Sequence, residues 1–383
     1  MQKGGLGFFM TSILNYGAKC DGITDCAPAI NAALAAENEI FIPAGKWLIG
    51  DEILIPSHRK ITADENAVIF CMDDKFTGRE KRAAVTNADY ENGNEDITVE
   101  GGTWDGNNAH NPRKESWRLG PCQGLLFSFI NVRNLTLKNM TVKNSESYHF
   151  RLGKTVNFTI SDILISDDLL TLCQDGVHVG GGCRHGVIRN ITAKKGCTND
   201  DLIAFNADDV NWYCHNRGMT DGPISDVLVE NVKAEDCWTA VRILSVVSEI
   251  SNITVRNLTC GVREMGLNLD ATRYAGDHIF EPEDYPDGVG NLKNILFENI
   301  TLYKTTDRNT VLVCAETNGE NVVFSDFTRL KNMEPANDMP FFRFRNLKKS
   351  DIVSGNRKIS LSASEEYIES ENSLPYVALN PSK

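Results

Sequence analysis

Gly186-Val-Ile-Arg-Asn-Ile-Thr-Ala193 is the stretch that decides the fold, because its pattern returns along the chain. Ile97-Thr-Val-Glu-Gly-Gly-Thr103, Leu135-Thr-Leu-Lys-Asn-Met-Thr-Val142 and Phe158-Thr-Ile-Ser-Asp-Ile-Leu-Ile165 share it. So do Val227-Leu-Val-Glu-Asn-Val-Lys-Ala234, Ile253-Thr-Val-Arg-Asn-Leu-Thr259 and Ile295-Leu-Phe-Glu-Asn-Ile-Thr-Leu302. Each is a short strand of period two, a polar corner of Asn, Asp or Gly, and a second short strand. β-Branched residues dominate the inward positions. Strands this short bury no face alone, whereas stacked coils bury a continuous column. A right-handed parallel β-helix, all-β, is therefore expected, with long corner loops that build a groove. Its corner Asn residues would stack as a hydrogen-bonded ladder. A β-propeller is the alternative, but it needs more regular blades of about 40 residues.

Around this core the chain reads as one domain. Residues 1–50 or so form an N-terminal cap whose plug is the Ala-rich helix Ala27 to Ala36, about 51–345 form coils, and about 346–383 form a C-terminal cap or tail. Composition narrows the function. Hydrophobic residues make up 41% of the 383, as in an ordinary folded protein. Thirty-nine Lys+Arg against 52 Asp+Glu leave a net charge of −13, so no nucleic-acid partner is expected. No run of about 18 apolar residues exists, so no membrane span is expected either. Eleven cysteines, an odd number without any Cys-x-x-Cys pair, suit free thiols better than disulfides or zinc. Met1 to Met10 lacks the apolar region of a secretory leader, so a cytoplasmic location is expected unless a leader has been removed. Seven Asn-x-Ser/Thr sequons, at Asn134, Asn139, Asn157, Asn190, Asn252, Asn257 and Asn299, fall inside the repeats and are read as structural.

Three carboxylates stand out. Asp175, in Gln-Asp-Gly, and the pair Asp200–Asp201, in Asn-Asp-Asp, are one coil's worth of sequence apart, which puts them on one edge. Mutual repulsion would raise at least one pKa, as a general acid at neutral pH requires.

The motifs Gly102-Thr-Trp-Asp-Gly-Asn, Asn144-Ser-Glu-Ser-Tyr-His-Phe, Gln174-Asp-Gly-Val-His-Val, Thr198-Asn-Asp-Asp-Leu-Ile-Ala-Phe-Asn and Ala240-Val-Arg-Ile-Leu occur in this order. Together they resemble glycoside hydrolase family 28, the polygalacturonase group, within the pectate-lyase-like β-helices. The resemblance implies an inverting hydrolase of an oligo- or polysaccharide that needs no cofactor and no metal. It implies Asp200 or Asp201 as the acid, with Asp175 and the other positioning the water, and we favour Asp200 as the acid. It also implies that Arg242 grips a substrate carboxylate, with Asn199 and Gln174 beside the trio. The chain departs from the pattern twice: Leu244 stands where the family has a lysine, and the Gly-His-Gly coil between the Asp pair and the arginine is missing. His215 lies in the right interval to replace that histidine. Tyr148, His149 and Trp212, with Trp104, Tyr213 and Trp238, offer aromatic surface for sugar faces. Asp208 and Asp270 are further candidates for the groove. A uronic-sugar lyase or epimerase, or a non-catalytic carbohydrate-binding β-helix, are the alternatives on this scaffold.

Overall fold

The computed structural model describes residues 10–78, 83–114, 123–208, 220–271, 289–336 and 339–345, and the backbone of four short strands after them. The chain winds as a right-handed parallel β-helix. Long bent strands such as Val132–Lys143, Val156–Ile165, Arg184–Ala193 and Ile224–Leu244 pair in parallel with their equivalents one coil away. Short strands, Phe127–Ile130, Phe150–Gly153, Val177–Gly180 and Asp201–Asn206, close each turn and stack in the same way.

Alternation makes the core. Ile61, Val99, Leu137, Ile160, Ile188, Val229, Val255, Phe297 and Phe324 follow one another at the same register from coil to coil. All nine are fully buried. The helix Ala27–Ala36 lies over the start of this column and buries Ala27, Ala29, Ile30, Ala33 and Leu34. Asn31 stitches it to the strand Ile53–Ile55, donating to the Glu52 carbonyl at 2.8 Å and accepting from the Leu54 amide at 2.9 Å. At the other end the parallel order stops. Glu366–Glu369 and Ser373–Leu374 run antiparallel against Phe342–Arg345 and Gly319–Arg329, which covers edges that would otherwise offer free backbone groups.

Two ladders turn the corners. Asn134, Asn157, Asp226, Asn252, Asn294 and Asn321 form one, and Asn139, Asp162, Asn190, Asn231, Asn257 and Asn299 the other. Every member has a left-handed backbone, with φ between 54° and 63° for the asparagines at Asn134, Asn190, Asn257 and Asn294. Asn and Asp tolerate that region better than other side-chain-bearing residues. Their side-chain amides donate along the stack, as from Asn257 to Asn231 at 3.1 Å and from Asn299 to Asn257 at 2.8 Å. The sequon nitrogens of Asn134, Asn157, Asn190, Asn252, Asn257 and Asn299 are all used in this way. Asn257→Ala should therefore cost about 2 kcal/mol in a urea titration, adding a backbone penalty of about 1–2 kcal/mol to a lost hydrogen bond. Asn257→Gly keeps the backbone freedom and should lose about half as much. Equal losses would refute the backbone share of that cost.

Candidate functional site

Register brings the carboxylates together. Val177 pairs with Ile203, so Asp175 and Asp201, each two residues earlier, occupy the same place on neighbouring coils. The Asp201 amide donates to Asp175 Oδ1 at 3.3 Å, and the Gly176 amide donates to the Asp201 carbonyl at 2.9 Å. One oxygen from each of Asp175, Asp200 and Asp201 lies within 4.8 Å of the others. Asp175 and Asp201 are buried, and Asp200 is half-buried.

Burial pushes the Asp175 carboxyl up to about 6; a hydrogen bond from His178 pulls it down, and the charge of Asp201 adds to the rise. A raised carboxyl is therefore found at Asp175, to which the resemblance gives the water rather than the acid's role, and its main cause is desolvation rather than repulsion. His178 Nδ1 donates to Asp175 Oδ2 at 2.7 Å. The Tyr148 ring lies flat against this imidazole, with centroids 4.2 Å apart and planes 8° from parallel.

The outward column of the short strands forms the floor beneath the trio. Ser128, Arg151, His178, Ala204, Arg242 and Asn268 follow one another from coil to coil. The Arg242 guanidinium lies 3.6 Å from Asp201 and 3.2 Å from Asp270. Its charge is thus divided between two carboxylates. Arg151, buried at the same level of the floor, donates to Ser128 Oγ at 2.8 and 3.1 Å. Sequence reading passed over Arg151 and over the pairing of His178 with Asp175. Strand alternation placed both on the outward face, but pairing across or along coils is invisible until the register is known.

Several expected substrate contacts lie elsewhere. His149 is wholly buried, held at both nitrogens: Nε2 by Asp167 at 2.9 Å and Nδ1 by the Asp175 carbonyl at 2.8 Å. Two acceptors require two protons, so the ring is an imidazolium. Burial opposes that charge, but Asp167 and the carbonyl outweigh it and the pKa is raised. His149 therefore braces the backbone of Asp175 and does not face a sugar. Gln174 is also fully buried, and its amide donates to the Ser145 carbonyl at 2.8 Å. Tyr148 is spent on His178. Trp104 belongs to the core, edge-on to Phe127, because it faces inward. The Trp238 ring is covered by Arg308 at 4.4 Å. Asn199 stays beside the trio, half-buried, and ties the Thr171 carbonyl to Arg263. Asp208 accepts from the Val246 and Val247 amides and so caps a turn. Trp212, Tyr213 and His215 lie outside the described residues. Leu169, Leu170 and Leu172 expose apolar surface on the loop that leads into Asp175.

The departures from the family pattern are visible too. Ala204 pairs directly with Arg242, so Arg242 stands on the coil next to Asp201, with no coil between. Leu244, standing where the family has a lysine, is buried.

Comparisons with known proteins bear on the fold and the family. The chain is 30% identical to a pre-neck appendage protein of Bacillus phage B103 over 160 residues, 41% of this chain and 17% of that protein. It thus spans less than a third of the length of such phage relatives. It is 23% identical to a probable polygalacturonase of Arabidopsis thaliana, covering 67% of this chain and 59% of that one. The fold superposes on a hyperthermoactive exopolygalacturonase from Thermotoga maritima with a TM-score of 0.58 at 14% identity, covering 97% of both chains. The model of one family, described as glycosyl hydrolases family 28, matches residues 37–332, well over half of the chain, and the chain belongs to that family.

Proposed function

We propose that the chain hydrolyses a glycosidic bond in a pectin-like or related saccharide, with inversion at the anomeric carbon. The observation that carries this is the convergence of Asp175, Asp200 and Asp201 within 4.8 Å beside a groove floor holding Arg242. Asp200, the most exposed of the three, gives its proton to the leaving oxygen. Asp175 and Asp201 hold the attacking water, and Asp175 takes its proton. Both Asp175 oxygens already accept hydrogen bonds, from His178 and from the Asp201 amide, which makes it a poor direct nucleophile and a good anchor for water. The three oxygens are closer than the roughly 6.5–9.5 Å separating most inverting pairs. The water therefore sits beside the trio rather than between facing carboxyls. Arg242 faces both Asp201 and Asp270, which leaves it less free to grip a substrate carboxylate than the family pattern implies.

The test is to incubate the protein with a panel of uronic and neutral oligosaccharides, reading reducing ends and, by proton NMR, the anomer formed first. Release from at least one member with the inverted anomer is expected. A retained anomer would refute the assigned roles, and an unsaturated product absorbing in the ultraviolet would replace hydrolysis by elimination. Substrate that binds but yields no product with any member would replace catalysis by carbohydrate binding.

A further inference from the structure

The short strands have two ends, and the carboxylate trio occupies only one. At the other end lies a surface cavity of about 460 Å³, within the range of small-ligand sites. Its walls carry Arg133, Lys154 and Arg184, together with Asn92, Asn131 and one carboxylate, Glu95. Val156 is the strand partner of both Arg133 and Arg184, so the two arginines stand two coils apart, about 10 Å, with Lys154 at the turn between. All three are exposed. In a chain of net charge −13, such a cluster of cations runs against the average. One has local compensation: Arg133 pairs with Glu95, which also faces His58 at 3.5 Å. Among the described residues no carboxylate stands within ion-pairing distance of Lys154 or Arg184.

Scattered surface lysines and arginines are ordinarily just solvated. Here they converge on one concavity, and their mutual repulsion is relieved by an anion held between them. Guanidinium forks match carboxylate and phosphate oxygens, and the ammonium adds a mobile point charge. We infer that this cavity binds a saccharide or polyol segment that carries oxyanions, either a sugar carboxylate or a phosphate ester. Arg184 is nine positions after Asp175, with the strand Val177–Gly180 between them, so the cavity lies within about 30 Å of the trio at the opposite end of that strand. Such a site anchors an anionic polymer on the coil surface while another part of it enters the groove. The inference stands apart from the hydrolase reading, since it concerns binding at a different corner.

The experiment is calorimetric titration of the full chain carrying Asp200→Asn, which blocks turnover, at low salt. The probes are trigalacturonate, glucose 1-phosphate and, as the neutral control, maltotriose. Binding of at least one anionic probe is expected, weakening as salt is added. Adding Lys154→Glu and Arg184→Glu should weaken it at least tenfold, and Lys154→Gln with Arg184→Gln by less. Without Asp200→Asn, the charge-reversed protein should keep its kcat on a short substrate. Trigalacturonate alone would assign the site to carboxylates, glucose 1-phosphate alone to phosphate esters, and both to oxyanions generally. No anionic binding, equal binding of maltotriose, or affinity indifferent to the reversals would overturn the inference.

Discussion

Asp200→Asn is expected to lower kcat by 10²–10⁴-fold, the usual worth of a positioned acid, while the melting temperature stays nearly unchanged. Asn is the same size but cannot deliver a proton, and Asp200 is only half-buried, so the substitution leaves no buried charge behind. Two further readouts separate an acid from a merely structural carboxylate. A substrate with a nitrophenolate leaving group needs little protonation, so the variant should recover most of its rate on it. The pH profile should change in one limb only. Asp175 must be ionised to accept a proton, so activity falls as pH drops through about 6, and this limb should persist in the variant. The opposite limb, which reports the general acid of the reaction, should disappear. His178→Phe should instead move the acid limb upward, because the hydrogen bond that holds Asp175 down is gone. An Asp200→Asn enzyme with wild-type kcat on an unactivated sugar would remove Asp200 from the mechanism.

His149→Ala is expected to cost the largest share of stability of any substitution near the site, about 3–5 kcal/mol in a urea titration. It strips a buried carboxylate, Asp167, of its cation, and that is the price of breaking a buried pair. His149→Gln keeps one donor and should lose less. The sign with pH follows from the raised imidazole. A His held above its unfolded value contributes fully below about pH 6.5, and that contribution is lost as pH rises through the folded value. The gap between wild type and His149→Ala should therefore be widest in acid and narrow in alkali. His149 also fixes the Asp175 carbonyl, so kcat should fall more than KM rises. A variant as stable as wild type at pH 5 would show that the ring is not charged.

The repeats carry the fold because strand alternation and left-handed corners are local properties. Gly186 to Ala193 specifies an inward Ile188 and Ile191 and a corner at Asn190 wherever the coil sits, and stacking merely multiplies that result. Asp175, Asp200 and Asp201 were legible for the same reason, since one coil of sequence is one step along the axis. What a side chain does once placed was not legible, because it depends on partners from other coils. His149, Tyr148 and Gln174 read as groove residues from their motifs, yet each finds an acceptor or a ring on a neighbouring coil and is drawn inside. Trp104 and Trp238 looked like sugar platforms, but one faces the core and the other lies under an arginine 70 positions later. The halves of the Arg242 site, Asp201 and Asp270, are far apart in sequence and meet only through register. Short-range periodicity thus sets the β-helix, its ladders and the carboxylate edge. Which charges are shared, which ring is an imidazolium and where cations cluster emerge only once the coils are stacked, because electrostatics acts through space and not along the chain.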